Sequence, residues 1–167
     1  MKHGGFIMRK LLVGILAATA VCVGSFAQAE DARTGVYPSG NVPLAPYTPG
    51  VKLSNGMMFV SGQIAYVKGA IPAEARDGKH DVEDQTKIVM EKLKSVIEEG
   101  GYTMNDAVRA TVFMTDISNY GAINGVYGKY WKKGDMPPAR AAVEVGTLPG
   151  SKPGAPVLVE ISMILFK

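Results

Sequence analysis

"PVLVEISMILFK", Pro156 to Lys167, closes the chain with the alternating pattern of a β-strand. Both of its faces are apolar, one with Val157, Val159, Ile161, Met163 and Leu165 and the other with Leu158, Ile164 and Phe166. Helices packed on a sheet can cover only one of these faces. The second face is therefore predicted to be covered by the N-terminal arm or by another subunit, and a subunit is favoured in so short a chain.

Glu160 interrupts this apolar strand with a carboxylate. An unpaired ionised carboxylate costs several kcal/mol to bury, or its pKa rises. Arg140 is the natural partner, because Pro137 and Pro138 stiffen the chain just before it in "MPPARAAVEVG" (136–146), at the start of a predicted strand. Two interpretations remain open, a structural ion pair between neighbouring strands and a small active site that binds a carboxylate and moves a proton.

The rest of the chain predicts an α+β fold. "VKLSNGMMFVSGQIA" (51–65) contains a Ser-Asn-Gly hairpin turn between two strands. "DVEDQTKIVMEKLKSVIEEGG" (81–101) has apolar residues at helical spacing before a glycine pair, and "DAVRATVFMTD" (106–116) alternates as a strand. The aromatic stripe in "SNYGAINGVYGKYWKKG" (118–134) indicates a second helix whose stripe lies in the core. We expect a mixed sheet with both helices packed on one face.

The first 29 residues have the layout of a secretory signal. Basic residues precede a short apolar run, "LLVGILAATAVCVGSF" (11–26), and "AQA" (27–29) is a small-residue cleavage pattern. The run is short for a membrane span, so cleavage after Ala29 and export to the periplasm or the medium are predicted. A retained membrane anchor is the alternative, and a lipid on Cys22 is disfavoured because no small residue precedes it.

Cleavage would leave a single domain with no net formal charge. It removes Lys2, Arg9 and Lys10 from 18 basic residues, and the remaining 15 balance 15 acidic residues. This balance disfavours nucleic acid as a partner. Cys22 would also leave, and with His80 as the last histidine the sequence predicts neither a disulfide nor a metal site. The predicted segments are a signal peptide at residues 1–29, an extended N-terminal arm at 30–49 and one domain at 50–167.

Four blocks resemble the RidA (YjgF-type) family in order and spacing. They are "FVSGQI" (59–64), "TVFMTDISNYGAINGVYGKYW" (111–131), "PPARAAVEVGTLP" (137–149) and "VEI" (159–161), and the resemblance covers nearly the whole domain. It implies a chorismate-mutase-like subunit assembled as a homotrimer with clefts between subunits. It also implies hydrolysis of 2-imino acids to 2-oxo acids and ammonia without a cofactor, by a protein that has no membrane contact once its signal is removed.

The resemblance assigns roles to six residues. Arg140, from the P-A-R element, would bind the substrate carboxylate, and Glu160, from V-E-I, would position or deprotonate a water molecule. Tyr47 would supply a hydroxyl to the same water as a second catalytic residue. The remaining substrate-binding positions are Ser61 and Gly62 of the S-G-Q turn and Asn124 of the second predicted helix.

The sequence departs from the family pattern at several positions. "APYTPG" (45–50) surrounds Tyr47 where the family has G-P-Y-S, and Ala65, Ala142 and Ser162 replace a common proline, cysteine and glutamate. These changes leave the identity of the substrate open. Three other functions remain as alternatives, a non-catalytic small-carboxylate-binding protein, a holdase-like protein and a ribonuclease, the last disfavoured by the neutral charge.

Export can be tested on the expressed full-length chain. We expect a mature protein that begins at Glu30, found in the periplasmic fraction, because the small-residue pattern at 27–29 directs cleavage after Ala29. Intact-mass spectrometry of the fractionated protein measures this. An intact Met1 on soluble cytoplasmic protein would contradict both the cleavage and the compartment.

Overall fold

The computed structural model describes residues 32–40, 42–43 and 45–167, together with Met1. The predicted signal peptide beyond Met1, and its cleavage site before Glu30, lie outside the described residues. In the part of the chain that is described, no helix has the length and hydropathy needed to cross a bilayer.

Six strands form one mixed sheet in the order β1-β2-β3-β6-β4-β5. Every neighbouring pair is antiparallel except β4 and β5, which are parallel. Two helices pack on one face of the sheet, α1 against β3 and β6, and α2 beside α1. The elements are β1 (Arg33–Val36), β2 (Gly50–Leu53), β3 (Met57–Gln63), α1 (Asp81–Glu99), β4 (Ala107–Met114), α2 (Tyr120–Tyr127), β5 (Ala139–Glu144) and β6 (Val159–Phe166). The predicted α+β architecture is confirmed.

The last strand, β6, occupies the centre of the sheet and its helix-covered face forms the middle of the core. The five residues predicted for that face are all 2% exposed or less. On the opposite face Phe166 is 55% exposed, and Phe59 of β3 and Val143 of β5 are also exposed. The described part of the arm does not cover this face, because β1 extends the sheet edge beside β2. A second subunit therefore remains the predicted cover.

The hairpin between β2 and β3 forms at the predicted Ser-Asn-Gly turn. Gly56 has φ +85°, a left-handed conformation that favours glycine. The Asn55 side chain accepts a hydrogen bond from the Met57 backbone N–H at 3.1 Å. The turn sets the register in which Val51 opposes Phe59.

The structural ion pair predicted between Arg140 and Glu160 is wrong for a single chain. β4 lies between the strands that carry them, because the α2 crossover places β5 on the outer side of β4. Arg140 is paired with Ala110, and Glu160 with Phe113. Positions 110 and 113 face opposite sides of β4, so the two charged side chains leave the sheet in opposite directions.

Gln85 of α1 joins the helix to two loops through a fully buried side chain. Its Nε2 group donates hydrogen bonds to the Ala75 carbonyl at 3.1 Å and the Pro156 carbonyl at 3.0 Å. Its Oε1 atom accepts one from the Leu158 backbone N–H at 2.9 Å. The amide thus satisfies three backbone groups, of which the Ala75 carbonyl is buried and the other two are partly buried, and sets the entry of the chain into β6.

Replacing Gln85 with leucine should therefore lower the free energy of unfolding by about 3 kcal/mol, because one buried and two partly buried polar groups lose their partner. Urea denaturation measures the change. Thr86→Val is the matched control, since Thr86 is equally buried but its hydroxyl donates only to the Val82 carbonyl within α1. That variant should lose about 1 kcal/mol or less. Equal losses in the two variants would contradict this role of Gln85.

Candidate functional site

Glu160 lies on the helix-free face of the sheet, against Gly62 of β3. A Cβ atom built on Gly62 would lie 1.9 Å from Oε1 of Glu160 and 2.7 Å from its Cδ. Only glycine therefore leaves room for the carboxylate in this position. Half-burial raises the pKa of Glu160 above its ordinary value. None of the three ion pairs found among the described residues includes Glu160.

Ser61 connects Glu160's neighbour Gly62 to the segment that carries Tyr47. β3 becomes irregular here, with a register shift between Val60 and Gln63. The Ser61 hydroxyl donates to the Thr48 carbonyl at 2.7 Å, and its backbone N–H donates to the Pro49 carbonyl at 3.0 Å. We call Glu160, Ser61 and Gly62 the Glu160 group.

Tyr47 lies apart from the Glu160 carboxylate in this chain. Its half-exposed side chain lines a cleft of about 290 Å³ together with Pro49, Gln63 and Lys92. Because Lys92 belongs to α1, this cleft is on the helix side of the sheet. Lys92 Nζ donates to the Ile64 carbonyl at 2.9 Å, and burial lowers the pKa of Lys92.

Arg140 lies on the helix-covered side of β5, against α2. Its Nη2 group donates a hydrogen bond to the Tyr120 hydroxyl at 3.1 Å. Its Cζ atom lies 4.7 Å from the ring centroid of Tyr127 and 5.6 Å from that of Tyr120. These cation–π contacts hold the guanidinium between two aromatic rings. Among the described residues, no carboxylate lies within 4.0 Å of it.

Asn124 belongs to the same surface as Arg140. It lies one helical turn beyond Tyr120 and one turn before Tyr127, so the three side chains share a face of α2. A hydrogen bond with Asn124, and then the positive charge of Arg140, lower the pKa of Tyr120. Burial raises the pKa of Tyr127 to about 12. We call Arg140, Asn124, Tyr120 and Tyr127 the Arg140 group. Of these, Arg140, Asn124 and Tyr127 line a pocket of about 370 Å³ bounded by Pro137 and Pro138.

Five of the six sequence-predicted site residues thus form two groups on opposite faces of one chain, and Tyr47 belongs to neither. The Glu160 group offers a carboxylate without a cation, and the Arg140 group offers a cation without a carboxylate. Tyr120 and Tyr127 were missed by the sequence analysis, although the aromatic stripe of the second helix carried the signal. No cluster of three His, Cys, Asp or Glu side chains suited to a metal ion occurs in the described ranges.

Comparisons with known proteins identify the family to which this chain belongs. The family model described as Endoribonuclease L-PSP matches residues 39–166. The chain belongs to this family. A RutC family protein of Pyrococcus horikoshii is 37% identical over 128 residues, which are 75% of this chain and 90% of that protein. The resemblance to RidA and YjgF-type proteins is thereby confirmed.

Two solved structures from Escherichia coli show the same fold within the family. The YjgF gene product has a TM-score of 0.66 and 29% identity, covering 80% of this chain and 98% of that chain. TdcF, in a structure with bound serine, has a TM-score of 0.67 and 30% identity, with the same coverage of both chains. These similarities confirm the chorismate-mutase-like subunit expected from the sequence.

Replacing Gly62 with alanine should displace the Glu160 carboxylate while the protein stays folded, because the clashing atoms end a flexible side chain. A crystal structure of the variant shows the displacement, and a carboxyl NMR titration should show the pKa of Glu160 returning toward its ordinary value. Gly125→Ala is the control, since no atom lies within 4 Å of its added Cβ. That variant should leave Glu160 unmoved and stabilise α2 by up to about 1 kcal/mol. An unmoved Glu160 in Gly62→Ala would contradict the contact.

Proposed function

We propose that this protein hydrolyses 2-imino acids to 2-oxo acids and ammonia, in clefts between the subunits of a homotrimer. The observation that carries the proposal is the separation of Arg140 and Glu160 on opposite faces of one chain. A cleft between two copies combines the Glu160 group of one copy with the Arg140 group of the next. The carboxylate of one copy and the guanidinium of the next then face the same cleft from opposite walls, with the substrate bound between them.

The exposed apolar residues support such an assembly. The helix-free face presents Phe59, Val143 and Phe166 to solvent in the single chain. Burying them between copies removes apolar surface from water. The two groups lie on different surfaces, so the contact is head-to-tail, and a head-to-tail contact that closes on itself forms a ring. Three copies complete the ring in our proposal, as the family resemblance implies.

In the proposed reaction Arg140 binds the substrate carboxylate through two parallel N–H donors. This fixes the planar imine so that one face meets a water molecule. Glu160 takes a proton from that water as its oxygen bonds to the imine carbon, and the proton passes to the nitrogen. The hydroxyl proton of the resulting carbinolamine then moves to the nitrogen as the carbon–nitrogen bond breaks, which releases ammonia and leaves the 2-oxo acid. One water is consumed, and neither an oxidant nor a cofactor enters.

The other site residues complete the proposed cleft. Ser61 and Gly62 line it beside Glu160, and Asn124 lines it beside Arg140. The Tyr47 segment is joined to Ser61 by two hydrogen bonds, and its hydroxyl would reach the attacking water only if this segment moves toward Glu160 on assembly. The serine bound to TdcF is an amino acid with a free carboxylate, which supports a ligand of this class. The N-terminal pattern leads us to propose that the reaction takes place outside the cytoplasm.

A non-catalytic small-carboxylate-binding protein is the second candidate. Such a protein needs only the Arg140 group to bind its ligand, and its Glu160 transfers no proton. The bound serine in TdcF favours this candidate as much as it favours catalysis, because binding alone accounts for it. Release of a 2-oxo acid and ammonia from an imine faster than its spontaneous hydrolysis separates the two functions.

Replacing Glu160 with glutamine should reduce imine hydrolysis about 100-fold, because one general base is lost. Binding of 2-oxobutanoate through Arg140 should persist. Burial raises the pKa of Glu160, so its ionisation costs stability above that pKa, and the neutral variant should melt at the same or a higher temperature at neutral pH. The assay follows 2-iminobutanoate, generated by an amino-acid oxidase. Full turnover in a folded Glu160→Gln variant would overturn the catalytic proposal and leave the binding protein.

Mixing variants tests the division of the site between copies. Arg140→Lys keeps the charge but loses the two-donor fork, so it should also be nearly inactive. Trimers reassembled from equal amounts of Glu160→Gln and Arg140→Lys should recover activity in about one quarter of their clefts, those with both native residues. Each variant reassembled alone is the control. No recovery in mixed trimers, or an active monomer by light scattering, would contradict a site between subunits.

A further inference from the structure

We infer that Tyr120 is a positioning residue, whose hydroxyl, together with the ring of Tyr127, orients Arg140 for a substrate carboxylate without neutralising its charge. This inference rests on the proposed function, because it concerns how the same site recognises its ligand. No role was assigned to either tyrosine by the sequence analysis.

The contacts leave one edge of the guanidinium free. A guanidinium has flat faces that stack on aromatic rings and five N–H donors around its edge. The Tyr127 ring, 4.7 Å from Cζ, occupies a face. Tyr120 accepts one Nη2–H at 3.1 Å, and this is the hydrogen bond that the Arg140 side chain makes within the described chain. The remaining donors can bind both oxygens of a carboxylate.

No acidic side chain among the described residues lies beside Arg140, so none competes with a substrate carboxylate for its donors. A carboxylate beside Arg140 would fix it equally well, but a substrate carboxylate would then have to displace it. A neutral hydroxyl and an aromatic face do not compete in this way. A cation–π contact stabilises the arginine by about 0.5–2 kcal/mol, enough to restrict its rotamers while the full positive charge stays available.

The backbone holds Tyr120 rigidly relative to β5. Glu144, four residues beyond Arg140 on the same strand, accepts a hydrogen bond from the Ile117 backbone N–H at 2.8 Å. Asp116 accepts one from the Ser118 backbone N–H at 2.8 Å, within the turn that leads into α2. These bonds tie the start of α2 to the strand that carries Arg140, so the distance between Tyr120 and Arg140 is fixed by the fold.

Tyr127 separates the effect of an aromatic ring from that of a hydroxyl on the same helix face. Its side chain is 5% exposed, and its hydroxyl has no hydrogen-bond partner among the described residues. Its ring packs against Trp131 with centroids 4.6 Å apart. Tyr127→Phe therefore removes an unpartnered hydroxyl and keeps the ring under Arg140, whereas Tyr120→Phe removes the hydroxyl that accepts from Arg140.

The test compares Tyr120→Phe with Tyr127→Phe in the assembled protein. Calorimetry gives the Kd for 2-oxobutanoate, and the oxidase-coupled assay gives kcat and KM for 2-iminobutanoate. In Tyr120→Phe we expect Kd and KM to rise about tenfold, because a hydrogen bond to a charged group is lost. We expect kcat within about twofold of the wild type, because Glu160 is unaffected. Tyr127→Phe keeps the ring under Arg140, so its losses should be smaller than those of Tyr120→Phe. Tyr130→Phe, which removes a hydroxyl that donates to Glu91 of α1 at 2.7 Å, is the control and should keep both constants.

Two outcomes would overturn the inference while the proposed function stands. One is an unchanged Kd in a folded, active Tyr120→Phe variant. The other is an equal loss of affinity in Tyr120→Phe and Tyr127→Phe. If the wild type neither binds 2-oxobutanoate nor releases it from the imine, the proposed function fails instead.

The orientation of Arg140 is then measured by nitrogen-15 NMR of its guanidinium. Hindered rotation in wild type and Tyr127→Phe but free rotation in Tyr120→Phe supports the positioning role, and free rotation in all three overturns it.

Discussion

The packing of β6 in the middle of the sheet is the constraint on which the other features depend. Its helix-covered face is buried by α1, and its edges pair with β3 and β4, so the strand is fixed on three sides. Because side chains alternate along a strand, this packing directs Glu160 to the opposite face. The neighbouring strand β3 then places Gly62 beside the carboxylate. The position of the acid is therefore a consequence of the core and needs no loop to hold it.

The same sheet places the cation where the acid cannot reach it. β5 is joined to β4 through α2 and runs parallel to it, so Arg140 emerges under the helix. An arginine and a glutamate within reach of each other in one chain would neutralise each other and bind a ligand less strongly. Their separation leaves both charges available, and it makes association of copies a requirement for any chemistry that uses the pair. Within one chain, the aromatic rings of Tyr120 and Tyr127 stabilise Arg140 in place of an acidic side chain.

The elements with strong periodicity could be predicted from the sequence, and the relations between them could not. The alternation in 157–166 and the turn at Ser54-Asn55-Gly56 are local signals. The last strand and the hairpin of β2 and β3 formed as expected. β1 was missed because four residues, "RTGV", are too short and too polar to show a strand pattern. The ion pair within one chain was wrong because strand order depends on the α2 crossover, which is a long-range property. Tyr120 was given no role, since spacing shows which helix face a residue lies on but not what opposes it.

The contact between Gly62 and Glu160 has an evolutionary consequence. A backbone position that lacks a side chain because a carboxylate occupies its place can change only when that carboxylate moves, shortens or is lost. Substitutions at positions 62 and 160 should therefore be coupled along any lineage that descends from this fold. In a homologue with a larger residue at the position of Gly62, a glutamate at the position of Glu160 could not lie where it lies here. The chemistry that depends on this position would then be lost.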